Sequence, residues 1–170
     1  MSSSDLAIDF KKTLQEFLEV REWEDEIEFN ENSEQWYVGT GVRIGEHSAK
    51  LFVEGRDSSG IVGIFFYFET KCKDTKADEM AKLLNWVNYS SFMGNFECMP
   101  DGSVRWKLKM DCENVELTGL GLSQNVQHGW DVAEKYRDAI LAVAFTKTSA
   151  EEAIAEFESA NEDVDVPDEL

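Results

Sequence analysis

Basic charge is scarce in this chain: its 170 residues hold 16 Lys and Arg against 35 Asp and Glu, for a formal net charge of −19 at pH 7. The isoelectric point falls near 4.3. Such a surface repels phosphate, so neither nucleic acid nor an anionic membrane is an expected partner. Histidine is limited to His47 and His128. One falls in a predicted turn and the other near a predicted helix start. With no Gly-x-Ser-x-Gly elbow and no Cys/His signature beside either, no nucleophile and base are paired and no catalytic residue is expected. The three cysteines, Cys72, Cys98 and Cys112, are an odd number and include no Cys-x-x-Cys. Zinc has no ligand set here, and thiols used as small apolar side chains point to a reducing compartment. The acidic run Glu162-Asp163-Val164-Asp165 lacks the glycine and closing glutamate of a calcium loop. No metal and no cofactor is therefore expected.

Long apolar runs are also missing. The longest, Ile61 to Phe68, has the length of a strand, far short of the roughly 20 residues that cross a bilayer. The first residues, Met-Ser-Ser-Ser-Asp, lack the basic and apolar regions of a signal peptide, so a cytoplasmic location is expected. Two glycine-rich stretches imitate phosphate loops. Gly39 to Gly45 lies inside an alternating strand that leads to a hairpin, and Gly119-Leu120-Gly121-Leu122 lacks the lysine or third glycine such a loop needs. Both are read as structural.

What is present suits one globular domain: 42% hydrophobic residues and 12% aromatics in a length that favours a single core. Residues 1–161 form the expected domain and 162–170 an acidic, flexible tail. Acids concentrate in two places. Nine lie between Glu151 and Glu169 with no Lys or Arg among them, and seven between Glu22 and Glu34.

Periodicity lays out the elements. A helix is predicted from Asp5 to Val20, capped by Ser4, with Leu6, Phe10, Leu14, Phe17 and Leu18 on one stripe. A short strand fits around Glu26 to Phe29. Strands follow at Trp36–Ile44, Ala49–Arg56 and Ile61–Glu69, the last apolar on both faces. A second helix spans Lys76–Ser91. Asn95–Met99 and Ser103–Asp111 flank the turn Pro100-Asp101-Gly102. A third helix spans Asn125–Thr146, capped by Ser123, and a short one Ala150–Ala160. The principal order is α-β-β-β-α-β-β-α. Strands joined by short turns must be antiparallel, so the fold class is α+β, an antiparallel sheet with helices packed on it.

Two surfaces are candidate sites. On the second helix, Trp86, Tyr89 and Met93 fall nearly opposite Met80, Leu84 and Val87. Either the C-terminal helices cover them or they form a dimer or partner interface, where aromatics and Met are enriched. On the last strand, Arg105, Lys107 and Lys109 alternate with Val104, Trp106 and Leu108. They either pair with acids on a neighbouring strand or receive an acidic segment of a partner or of the chain's own tail.

A longer pattern runs through the same region. A helix ends in Leu83-Leu84-Asn85-Trp86-Val87-Asn88. Then come the strand Gly94-Asn95-Phe96-Glu97, a turn with Asp101-Gly102, and the strand Val104-Arg105-Trp106-Lys107-Leu108. Leu117-Thr118 and a helix carrying Asp131 before Tyr136 complete it. This pattern resembles the YbjN family of bacterial proteins, and with the preceding helix and three strands it covers most of residues 5–145. The resemblance implies a fold like that of type III secretion chaperones and a role as a sensory-transduction or stress-response regulator without known catalysis. It offers no functional residues to carry over. Secretion chaperones are themselves small, acidic, usually dimeric and bind partner segments in extended form. The chain departs from the pattern between Gly119 and Gly129, where a more regular helix start is expected. The functional expectation is a non-enzymatic, protein-binding regulatory or chaperone-like module, a homodimer with a protein partner. The alternatives are a small-molecule-binding or enzymatic α+β domain whose site bears no signature, and a dedicated secretion chaperone.

Overall fold

The computed structural model of the chain describes residues 9–161. Helix α1 (Phe10–Arg21) starts at Asp9, whose carboxylate accepts a hydrogen bond from the Lys12 amide. Ser4, Asp5 and Leu6, expected as the cap and first turn, lie outside the described residues, as does the tail 162–170. Phe10, Leu14, Phe17 and Leu18 form the buried stripe their spacing predicts.

Six strands follow: β1 (Glu28–Asn30), β2 (Gln35–Ile44), β3 (His47–Arg56), β4 (Ile61–Lys71), β5 (Asn95–Cys98) and β6 (Ser103–Asp111). Helix α2 (Ala77–Ser90) sits between β4 and β5, and α3 (Gly119–Phe145) and α4 (Ala150–Asn161) close the chain. The sheet order is β1-β2-β3-β4-β6-β5, and every neighbouring pair is antiparallel. The short strand expected near Glu26 becomes β1, a sixth strand beside the five of the principal order. Strand β4, apolar on both faces, lies inside the sheet. The β5–β6 turn is fixed by Asp101, which accepts from the Ser103 amide and hydroxyl and from Lys71. Those bonds, Lys71 foremost, hold the Asp101 carboxyl down at about 2.

The third helix corrects the sequence reading. It begins at Gly119, not Asn125, and its cap is Thr118, whose hydroxyl accepts from the Gly121 amide. Ser123, expected as the cap, is buried inside the helix. Helix propensity argues against a Gly-Leu-Gly start, but tertiary packing decides. A Cβ on Gly119 would stand 2.4 Å from the backbone of Glu16, so only glycine lets α3 lie this close to α1. The Glu16 carboxylate accepts from the Gly119 amide, and Thr13 donates to the Leu117 carbonyl.

The helices lie on the sheet face that carries Val38, Leu51, Val53, Ile64, Phe66 and Trp106, all buried. Trp106 sits at the centre with no exposed surface. Gly129 of α3 meets one edge of its indole and Gly94 the other; a Cβ at these positions would come within 2.4 and 2.2 Å of the ring. Phe66 packs beside it, ring centres 6.0 Å apart. The opposite sheet face carries Phe52, Phe65, Tyr67, Arg105, Lys107 and Lys109, and no helix among the described residues covers it.

Candidate functional site

The three residues singled out on α2 do not share one environment. Trp86 is half-buried and meets Phe157 of α4 and Tyr136 of α3 edge-on, with ring centres 5.5 and 6.3 Å apart. Met93 also packs against the core. Tyr89 stands apart at 92% exposed, and Phe92, just past the helix end, is 94% exposed. Phe92 was not among the expected site residues. Its position three residues after Tyr89 is visible in the sequence, but Phe92 and Met93 both follow the helix, which ends at Ser90, so helical periodicity assigns a face to neither.

Beside this pair, α2 closes the sheet edge. The Asn88 side chain accepts from the Phe96 amide at 2.7 Å and donates to the Phe96 carbonyl at 2.9 Å. Strand β5 pairs on its other side with β6. One asparagine therefore does the work of a seventh strand at the one residue whose backbone groups point outward near the middle of β5. Edges left unpaired invite association with other chains, and this one is closed.

On β6, Arg105 and Lys107 are drawn to Glu97 of the neighbouring strand. Lys107 lies 2.5 Å from one carboxylate oxygen and Arg105 engages the other. Arg105 also donates to the Tyr67 hydroxyl, and its guanidinium lies 5.0 Å from the centre of the Phe65 ring. That ring is 5% exposed although no helix covers it. Lys109, two residues on, is exposed and has no carboxylate within 4 Å among the described residues. The three bases thus divide: two share the single Glu97 carboxylate across the sheet, and the third has no acid partner among the described residues.

Burial raises the Glu97 carboxyl, but the hydrogen bonds from Lys107 and Arg105 outweigh it and hold Glu97 below the usual carboxylate range. A depressed carboxylate stabilises the fold above its unfolded value, near 4.3, and loses that contribution as pH falls through its folded value. Glu97→Gln should therefore cost about 1 kcal/mol at pH 7, an amount limited by the solvent that reaches the group. Urea unfolding should show the gap between variant and parent narrowing at pH 3.

Other polar groups take up structural positions. His47 opens β3, and His128 lies on α3 with its ring 6.3 Å from that of Trp106. Burial pushes the Cys72, Cys98 and Cys112 thiols up. Among the described residues no three His, Cys, Asp or Glu side chains gather as a metal site, and no helix is long and apolar enough to cross a membrane. A shallow depression of about 500 Å³ on the uncovered sheet face is lined by Lys50, Phe52, Tyr67, Phe68 and Lys71.

No protein-family model matches the chain, and no curated protein matches it in sequence. In structure it is similar to YbjN from E. coli, described as a proposed transcription regulator. The TM-score is 0.51 over 81% of this chain and 93% of that one, at 11% sequence identity. What the two share at that identity is the fold, and the chain has a YbjN-like α+β fold, with six antiparallel strands and four helices among the described residues.

Proposed function

We propose that the chain is a non-enzymatic regulatory or chaperone-like module that acts in the cytoplasm by binding a protein partner, itself a homodimer, in the manner the YbjN resemblance implies. The exposure of Tyr89 and Phe92 carries this reading. Trp106, Phe10, Phe17, Phe66 and Phe96 are fully buried, whereas these two rings project from neighbouring turns at the end of α2 and touch little. Aromatic rings bury roughly 150–250 Å² each when covered. At about 25 cal/mol per Å² the pair would supply several kcal/mol to an association. Exposed aromatic pairs of this kind are where interface energy concentrates. The YbjN-like fold and its neighbour's description as a regulator support the same class.

The test joins affinity capture from native lysate with the solution mass of the free protein. The wild-type chain is expected at twice its monomer mass, retaining a partner. The double variant Tyr89→Glu/Phe92→Glu should lose both while its melting temperature moves by no more than about 2 °C, because neither ring contributes to the core. A strictly monomeric wild type that retains nothing would overturn the proposal, as would a double variant that behaves like its parent.

A further inference from the structure

The uncovered sheet face inverts the charge of the molecule. Seven of the 16 Lys and Arg point outward from its four middle strands: Arg43, Lys50, Arg56, Lys71, Arg105, Lys107 and Lys109. Only Glu54, Glu69 and Asp111 oppose them there, in a chain where acids outnumber bases more than two to one. Arg105 and Lys107 are satisfied by Glu97 at the edge. Lys50 and Lys109 are exposed and have no carboxylate within 4 Å among the described residues.

We propose that this face is a second binding surface, for an extended acidic peptide segment of a partner protein with apolar side chains between its carboxylates. The register places Lys50 beside Tyr67 on β4 and Lys109 beside Gly63 on the same strand. They are thus two strand spacings apart across the sheet and four residues apart along it, a diagonal of about 17 Å. About five extended residues span that distance. Along that diagonal lie Phe52 of β3 and Phe65 of β4, the latter beneath Arg105. Phe52 meets Tyr67 edge to face at 5.7 Å, and on the side of Lys50 away from Lys109 the two rings line a depression with Phe68, Glu69, Lys71 and Ser103. Beside Lys50, its partner Gly41 on β2 has nothing among the described residues within 4 Å of where a side chain would begin, so a backbone can lie directly on the sheet there. Two exposed ammonium groups with the Phe52 ring between them match carboxylates at the ends of a segment with an apolar residue between them.

The same geometry disfavours a nucleic acid. Single strands bind on rings whose faces lie open for base stacking. Here Phe65 is sealed beneath Arg105, and Phe52 and Tyr67 stand nearly perpendicular to one another. At physiological salt the field of the acidic remainder is screened beyond about 8 Å, so charges in contact decide what this face holds.

The measurement is fluorescence anisotropy of a labelled decapeptide of alternating Glu and Leu against the full chain at physiological salt. A Gln/Leu decapeptide is the neutral control. The Glu/Leu peptide should bind, more weakly as salt rises, and about tenfold more weakly to Lys50→Glu/Lys109→Glu, whose exposed positions leave the fold intact by circular dichroism. The Tyr89→Glu/Phe92→Glu chain should bind it like wild type, so failure here and failure of the α2 surface are separate results. Equal binding of the neutral peptide, or an unaffected lysine variant, would overturn the proposal. So would tighter binding of an oligothymidine, which would assign the face to single strands. Binding seen only after the acids of residues 162–170 are changed to their amides would assign it to the chain's own tail, and a dimer split by the peptide to a second copy. Either result would also overturn it.

Discussion

Trp106→Ala should lower the free energy of unfolding by about 4 kcal/mol, the largest loss expected from any single substitution in this fold. The indole is wholly buried where β6, β4 and α3 meet. Its removal forfeits the transfer energy of the ring and leaves a cavity that two glycines and a strand cannot close. Since a domain is stable by only about 5–15 kcal/mol, the variant should unfold at markedly lower urea. Trp106→Phe should cost far less, because the indole nitrogen has no hydrogen-bond partner among the described residues and no bond is lost with it. Gly129 gives the complementary experiment. Alanine there gains about 1 kcal/mol of helix propensity but drives a methyl group into the Trp106 and Phe66 rings. Overpacking of this kind costs about 1–3 kcal/mol. Gly129→Ala should therefore be destabilising in the parent and close to neutral, or favourable, on a Trp106→Phe background. Urea titration of the four chains measures the coupling. Additive effects would show that the ring and the glycine do not constrain one another.

Asn88→Ala should cost about 2–3 kcal/mol and also change the state of association. It strips the Phe96 amide and carbonyl of their partner at once, and each half-buried backbone group left unpaired costs about 1–3 kcal/mol. Those groups then lie on a free sheet edge, where another chain can satisfy them. Light scattering should detect concentration-dependent growth of the variant under conditions where the parent is stable in size. Asn88→Asp should be worse than alanine at neutral pH, because it keeps an acceptor for the amide but sets a charge against the carbonyl. A variant as stable and as well dispersed as its parent would mean that α2 does not guard the edge.

Much of this architecture can be read in the residues. The strict alternation of Val104, Trp106, Leu108 and Met110 with charged neighbours sets β6 at Ser103–Asp111, where it is found. The alternation of β2 and β3 and the stripe of Met80, Leu83, Leu84 and Val87 on α2 are equally plain. Periodicity reports burial, and these elements each bury one face. What it does not report are contacts that depend on residues far away in the chain. The start of α3 looks like a loop because glycine is a poor helix former, and only Glu16, 103 residues earlier, explains it. Strand β1 has no buried residue, so nothing but its pairing with β2 defines it. Asn88 looks like one more polar residue on a helix until β5 is folded against it. The candidate surfaces divide along the same line. That Arg105 and Lys107 would find an acid across the sheet follows from alternation, although Glu97 as that acid does not. That Trp86 turns inward while Tyr89 and Phe92 do not depends on where α4 lies.

The seam between α1 and α3 has a consequence for the order of events during synthesis. Thr13, Glu16 and Arg21 at the start of the chain bond to Leu117, Gly119 and Ser123, each more than 100 residues later. Phe10 rests on Gly55 of β3, but the side of the first helix that faces α3 leaves the ribosome about a hundred residues before its partner does. At about 5–20 residues per second that interval lasts on the order of 5–20 s. The β2–β3 and β3–β4 hairpins can form in the meantime, but the bonds from the first helix to α3 wait until α3 is made. Closure of this loop of more than 100 residues carries an entropic cost that the local hairpins do not, and a nascent chain exposes the α3-facing side of the first helix to holdases and proteases until it closes.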